Sequence, residues 1–225
     1  MKLAKEGLPT IAVLALSAAF FAFFLPWRWP EVILVVLCGF ALWFYRDPDR
    51  TLPDGANGKI GKDGEGIFVS PADGRVVEIG PAEHPFTGKA VKVGVFMNIF
   101  SVHVNRSPCK GVVEYLEYVP GRKIAAFAPK ASEVNERHYV GLRTDWGPVL
   151  LVQIAGLLAR RIVCRVRRGD LLSPGERYGM IKLGSKVDIY LPESVKLTVK
   201  IGEKVYAGKS SLGVLQLEGF QVKEL

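Results

Sequence analysis

The chain has 225 residues and a formal net charge of +8, and 49% of its residues are hydrophobic. This length suits one domain with an appendage. The three cysteines form no CxxC pair and the three histidines lie far apart in the sequence, which argues against a disulfide framework or a metal site and fits a reducing cytoplasm.

Two apolar segments stand at the start of the chain. Residues 8–27 carry no charge, and residues 29–45 carry one, Glu31. A membrane-spanning helix needs about 20 apolar residues, with roughly 17 as a lower limit. The motif PWRWP between the segments supplies two helix-breaking prolines and two tryptophans suited to a membrane interface. We therefore predict a transmembrane helical hairpin as a membrane anchor over residues 1–46.

Basic residues flank this hairpin. Lys2 and Lys5 precede it and Arg46 and Arg50 follow it, whereas the turn contains only Arg28. The positive-inside rule then places both ends of the hairpin, and the rest of the chain, on the cytoplasmic side of the inner cell membrane. The competing interpretation is a signal peptide, but no small-residue cleavage site precedes the second apolar segment.

The remainder of the chain is predicted to be a mainly β (α+β) domain. Residues 47–66 are polar and rich in turn residues, which indicates a linker, and residues 67–225 contain short alternating strands between turn signals. Residues 122–138 have room for a helical turn. The pattern favours a β-sandwich or barrel, and segments 68–79 and 196–215 give it a lipoyl-like character.

A basic segment accounts for much of the net charge. Residues 159–170 contain five arginines: Arg160, Arg161, Arg165, Arg167 and Arg168. Beside a cytoplasmic leaflet, the favoured partner is anionic lipid, and a solvated strand face is the alternative. A nucleic-acid partner is disfavoured because no basic helix or aromatic stacking platform accompanies the patch.

Four short motifs carry chemistry. RYGMIKLGSKVDIYLP, residues 177–192, alternates like one strand but has Gly184–Ser185 at its centre, where a bulge or bend is the ordinary explanation. SPADG places Asp73 in a turn, and FSVHVNRSPCKG places His103 in a strand. In QIAGLLARRI, Gly156 permits a close backbone approach, and the two arginines can bind phosphate or carboxylate.

An aspartate, a histidine and a serine in separate segments can converge as a triad. Ser185 lacks the Gly-x-Ser-x-Gly elbow of ordinary serine hydrolases and follows Gly184 directly. This setting suits attack of the serine hydroxyl on the carbonyl of the preceding residue.

These motifs, together with FYRDPDR near the anchor, resemble the short form of the phosphatidylserine decarboxylase family over essentially the whole chain. The resemblance implies self-cleavage between Gly184 and Ser185 into residues 1–184 and 185–225. The two chains would stay together, and a homodimer of that unit is expected. It further implies pyruvoyl-dependent decarboxylation of phosphatidylserine to phosphatidylethanolamine and CO2, with anionic phospholipid as substrate, the membrane as partner, and no external cofactor or metal.

The resemblance also implies roles for individual residues. Ser185 is the nucleophile and the precursor of the pyruvoyl group, which forms a Schiff base with the substrate; His103 is the general base and Asp73 orients it. Longer relatives have threonine where Lys186 stands and a second histidine where Arg106 stands. These departures leave open whether His103 acts alone.

Three further residues are kept as hypotheses. His138 is a possible contributor if its loop folds over the site, and Arg160 and Arg161 are possible ligands of the substrate head group. The family resemblance does not assign these two arginines.

Two other functions would each explain part of the sequence. A lipoyl-like membrane adaptor would explain the barrel segments and the apolar helices, but no lysine is placed for lipoylation or biotinylation. A membrane-bound serine hydrolase would use the same triad without self-cleavage. A second motif, GKSSLG at residues 208–213, is better interpreted as a turn because Lys209 separates its glycine from the serines.

Overall fold

The structure is a computed structural model that describes residues 2–24, 26, 28–56, 65–126, 128, 130–157, 161–182 and 184–216. The chain divides into two compact units, Met1–Asp49 and Arg50–Leu225. The predicted boundaries at residues 46 and 66 remain predictions.

The N-terminal unit consists of two apolar helices and a small strand pair. In chain order its elements are β1 (Lys2–Leu3), a 3-10 helix (Lys5–Gly7), α1 (Leu8–Phe24), α2 (Trp29–Phe44) and β2 (Arg46–Asp47), with β1 and β2 antiparallel. Of the described helices, one, Lys5–Phe24, is long and apolar enough to cross a membrane by length and composition, whereas the second has 16 residues. Both predicted apolar segments are therefore helical, and their spanning as a hairpin remains a prediction.

The start of α2 follows from its sequence. Pro30 lies in the first turn, where its missing N–H breaks no intrahelical hydrogen bond. Glu31 in the same turn complements the positive end of the helix dipole and accepts a hydrogen bond from Arg28 at 2.9 Å. The break between the two apolar helices is thus locally encoded.

The C-terminal unit is mainly β, as predicted. Its elements are β3 (Glu65–Val69), β4 (Gly74–His84), β5 (Gly88–Met97), β6 (Val104–Arg106), β7 (Gly111–Val119), α3 (Ala131–Val134), β8 (Arg137–Thr144), β9 (Gly147–Ala155), β10 (Arg161–Cys164), β11 (Leu171–Leu172), β12 (Arg177–Lys182), β13 (Ser185–Pro192), β14 (Lys196–Leu197), β15 (Lys204–Val205) and β16 (Ser211–Gln216). The helical turn expected within residues 122–138 is α3.

The described residues of this unit form three antiparallel sheets. The largest has eight strands in the order β11-β7-β8-β9-β13-β5-β4-β15, and the others have the orders β10-β12-β6 and β14-β16-β3. The core lies on one face of the large sheet, because alternate residues of its central strands are fully buried: Val93, Val95, Val149, Leu151, Val187 and Ile189. The lipoyl-like character remains a prediction.

The segment 177–192 is two strands, not the single faulted strand that its alternation suggests. Residues Arg177–Lys182 pair with β6 and β10, whereas Ser185–Pro192 lies between β5 and β9 in the large sheet. Gly184 stands at the switch with a positive φ of 54°. The glycine therefore marks the place where the chain passes from one sheet to another.

Candidate active site

Ser185 is the first residue of β13 and is held on both sides. It pairs with Met97 of β5 and with Ala155 of β9, so its backbone lies between two neighbouring strands. Ser185 is fully buried, and its Oγ makes no hydrogen bond to any described residue. A buried hydroxyl without a partner is uncommon in folded proteins and calls for a functional explanation.

The residue before Ser185 has the backbone freedom that the switch requires. Gly184 adopts the left-handed conformation, which glycine reaches without the steric penalty of a Cβ. Its carbonyl oxygen lies against Gly156, where a Cβ built on that glycine would fall 2.0 Å from the oxygen. The close backbone approach predicted at Gly156 is confirmed, and its neighbour is the carbonyl that Ser185 is expected to attack.

His103 lies just before β6 and is fully buried. Its Nδ1 is 2.9 Å from the carbonyl oxygen of Ser101. Because a carbonyl oxygen only accepts, this contact assigns the proton to Nδ1 and leaves Nε2 as the nitrogen that takes up a proton. The carbonyl of His103 accepts a hydrogen bond from the Ile181 N–H at 3.3 Å. His103 is thus attached to the strand that leads into Gly184.

A buried polar chain connects β6, the strand that follows His103, with the strands beside Ser185. Gln153 Nε2 donates to Asn105 Oδ1 at 2.8 Å, and Asn105 Nδ2 contacts the sulfur of Met97 at 3.7 Å. Gln153 and Asn105 are fully buried. Sequence analysis did not assign these two amides, although a glutamine inside the apolar run PVLLVQIA was a usable signal.

Known proteins resemble this chain over most of its length. The phosphatidylserine decarboxylase family profile matches residues 37–213. The chain is 43% identical over 214 residues to the phosphatidylserine decarboxylase proenzyme of Syntrophus aciditrophicus, covering 94% of this chain and 96% of the relative. It is 44% identical over 221 residues to the protein of that name from Nitratidesulfovibrio vulgaris, covering 97% of each. The protein of that name from Solidesulfovibrio magneticus is 47% identical over 214 residues, covering 93% of this chain and 94% of the relative. The chain belongs to the phosphatidylserine decarboxylase family.

The resemblance seen in the sequence is therefore confirmed, and the family is one of decarboxylase enzymes. The word proenzyme in the names of the relatives denotes a precursor that undergoes processing.

Asp73 lies in the SPADG turn, which contacts β6, the strand that follows His103. The Arg106 N–H donates to the Pro71 carbonyl of this turn at 2.9 Å. The Asp73 carboxylate accepts hydrogen bonds from Arg50 at 2.7 Å and from the Ala207 N–H at 2.8 Å. Asp73 thus connects its own turn to the segments that contain Arg50 and Ala207. Its role as the residue that orients His103 remains a prediction.

Arg106 stands where longer members of the family are expected to have a second histidine. It is 4% exposed, and its guanidinium donates to the Gly175 carbonyl at 3.0 Å. The aliphatic stem also lines the space beside Gly208, since a Cβ there would lie 3.2 Å from Arg106 Cδ. Arg106 therefore contacts the turns at Gly175 and Gly208.

The remaining predicted residues are Arg160, Arg161 and His138. Arg160 is outside the described residues. Arg161 is the exposed first residue of β10. It pairs with Lys182 of β12, which is two residues before Gly184 in the sequence. His138 is on β8, opposite Gln153, so that β9 lies between it and the strand of Ser185. Burial lowers the pKa of His138.

Proposed function

We propose that this chain is a phosphatidylserine decarboxylase precursor that cleaves itself between Gly184 and Ser185. The mature enzyme then converts phosphatidylserine to phosphatidylethanolamine and CO2. The observation that carries the proposal is the buried Ser185 hydroxyl, which has no partner among the described residues and follows a left-handed glycine at a sheet switch.

The first step is transfer of the Gly184 acyl group from nitrogen to oxygen. Ser185 Oγ attacks the Gly184 carbonyl carbon and gives its proton to His103 Nε2, which passes this proton to the leaving nitrogen as the carbon–nitrogen bond breaks. The amide thereby becomes an ester with a free amine on residue 185. The Ser101 carbonyl supports this role because it keeps the His103 proton on Nδ1. Asp73 is proposed to orient the imidazole, in the manner of other triads.

The second step separates the chains. Loss of the Ser185 Cα proton expels the Gly184 carboxylate and leaves a carbon–carbon double bond at residue 185. Water then replaces the amine, ammonia leaves, and residue 185 becomes a pyruvoyl group. No oxidant, external cofactor or metal is required.

The residues present fit such a group. The precursor serine begins a strand that is fixed on both sides, at Met97 and Ala155, in a position that excludes solvent. The pyruvoyl group supplies the electron sink for decarboxylation. Arg160 and Arg161 are proposed to bind the phosphate or carboxylate of the head group, since guanidinium groups match both geometries.

The sheet topology explains how the cleaved chains would stay together. Residues 185–225 contribute β13, which lies between β5 and β9 of the large sheet, and β16, which pairs with β3. Both strands that pair with β13 in the described part of the chain belong to residues 1–184. We propose a heterodimer that shares one hydrophobic core and that itself forms a homodimer.

The apolar N-terminal helices fit the proposed substrate. A phospholipid does not leave the bilayer readily, so an anchor keeps the enzyme at its substrate. We propose that α1 and α2 cross the membrane as a hairpin, with the β domain on the cytoplasmic side, as the flanking basic residues predict.

Intact-mass spectrometry of the full chain purified in detergent tests the proposal. We expect two chains that end at Gly184 and begin at residue 185, with the small chain about 17 Da lighter than its sequence because ammonia is lost. The Ser185→Ala variant should remain one chain. A single intact chain in material that decarboxylates phosphatidylserine would overturn the proposed mechanism.

A further inference from the structure

The residue directly after Ser185 is a buried lysine. Lys186 lies in a central strand of the large sheet and is only 4% exposed. Lysine is almost never so deeply buried unless it is paired. It stands where longer relatives are expected to have threonine.

Three partners surround the Lys186 ammonium. Its Nζ lies 3.0 Å from Asp188 Oδ1 and 3.0 Å from Ser132 Oγ, and it also pairs with Glu78. The Ser132 hydroxyl in turn donates to Asp188 Oδ2 at 2.9 Å. We call Lys186, Asp188, Ser132 and Glu78 the lysine network.

The lysine network is balanced in charge. Lys92 pairs with Glu78 at 2.5 Å, so two carboxylates face two ammonium groups. Although burial lowers it, the pKa of Lys186 is raised overall by the carboxylates of Asp188 and Glu78, which keep the ammonium charged. A buried charge held by several partners in this way fixes its side chain in one position.

The lysine network is assembled on the opposite face of β13 from Ser185. Ser185, Val187 and Ile189 alternate with Lys186 and Asp188, so the serine faces the core and the lysine faces α3. Gly94 on β5 makes the room, because a Cβ there would lie 2.5 Å from Lys186 Cε. The lysine network thus links the start of β13 to β4 and to α3.

The segment that carries Ser132 is also tied to the partner strand of Ser185. Asn135, fully buried, donates from Nδ2 to the Ala155 carbonyl at 2.6 Å. Ala155 is the β9 residue that pairs with Ser185. Both ends of α3 therefore contact neighbours of Ser185. Ser132 contacts Lys186, the next residue of β13, and Asn135 contacts Ala155, the residue of β9 that pairs with Ser185.

We propose that Lys186 is a positioning residue that holds residue 185 in place before and after the chain is cut. This inference rests on the proposed function. Cleavage would turn residue 185 into a chain end, and chain ends fray unless they are tied down. The lysine network clamps the next residue to β4 and α3, elements that belong to the other chain. It does so without reaching the reacting atoms.

The test compares substitutions in the full chain in detergent. Lys186→Met should slow self-cleavage, followed by intact mass over time, by about tenfold, because a small displacement of the attacking hydroxyl is costly. In the processed fraction it should lower kcat for phosphatidylserine more than it changes KM. Lys186→Arg should restore most of both. Lys92→Met removes a cation from the same cluster without contacting Ser132, and it should cleave at the wild-type rate.

A second variant separates positioning from stability. Lys186→Met leaves Asp188 uncompensated, so Lys186→Met with Asp188→Asn is expected to restore the melting temperature but not the cleavage rate. Wild-type cleavage and kcat in the double variant would overturn the inference. Failure of both variants to fold would also overturn it, because the network would then serve stability alone. A wild-type chain that stays uncut would instead overturn the proposed function.

Discussion

The carbonyl oxygen of Gly184 occupies the space in which a side chain of residue 156 would lie. A Cβ atom built on Gly156 falls 2.0 Å from that oxygen, closer than any real contact of this kind. The two glycines are brought together by the pairing of β13 with β9. The bond proposed to break is therefore packed directly against a position that excludes every side chain.

We predict that Gly156→Ala displaces the Gly184 carbonyl and slows self-cleavage by about 100-fold, since a shift of about 1 Å in reacting groups has effects of that size. The rate is measured by intact mass at intervals after synthesis. Gly80→Ala, on β4, is the matched control because a Cβ there meets nothing within 4 Å. Equal cleavage rates in the two variants would show that the contact has no part in the reaction.

Replacement of His103, the proposed base, should also slow self-cleavage. His103→Ala removes the nitrogen proposed to accept the Ser185 proton, and we expect cleavage to slow by about 100-fold or more. His138→Gln should cleave at the wild-type rate, since β9 separates that residue from the strand of Ser185. If His138→Gln were the slower variant, the two histidines would have to exchange roles.

The ion pair between Arg50 and Asp73 is predicted to stabilise the fold. The side chains are 16% and 9% exposed and lie 2.7 Å apart. Arg50→Met removes this cation from beside a buried carboxylate and should lower the free energy of unfolding by about 3 kcal/mol. Denaturant unfolding in detergent measures the loss.

A double variant tests the reason for that loss. Arg50→Met combined with Asp73→Asn should recover much of the stability, because the amide oxygen still accepts from the Ala207 N–H and no charge is stranded. Additive losses in the double variant would indicate that the two side chains act independently.

The stability of the β domain should fall as the pH drops below 6.5. Burial lowers the pKa of His84, although Glu117 opposes the shift, and the neutral Nδ1 accepts a hydrogen bond from the Phe86 N–H at 3.1 Å. Above pH 6.5 both the folded and unfolded histidine are neutral and the effect is absent. Below it the unfolded state takes up the proton first, so the free energy of unfolding decreases.

His84→Asn keeps an acceptor for the Phe86 N–H and removes the titration. The variant should lose less stability than the wild type between pH 7.5 and pH 5.5, as followed by thermal unfolding in detergent. Some decrease should remain, because burial also lowers the pKa of His138. Identical losses in both proteins would contradict this assignment.

Local features of the chain could be predicted because they depend on neighbours in sequence. The two apolar helices, the mainly β domain and the helical turn near residue 131 follow from composition, periodicity and breaking residues. The motif around Gly184–Ser185 and the family it belongs to were also evident, since five short motifs in order are specific.

The sequence by itself thus determined the elements, the family and the suspected bond, because these are written in short segments. Only the tertiary structure decided that the chain changes sheet at Gly184, that Gly156 lies on its carbonyl, and that Lys186 is buried among partners up to 108 residues away. It also placed the Ser101 carbonyl on His103. The physical reason is that register and sheet membership are set by pairing between distant strands, which alternation within one strand does not specify.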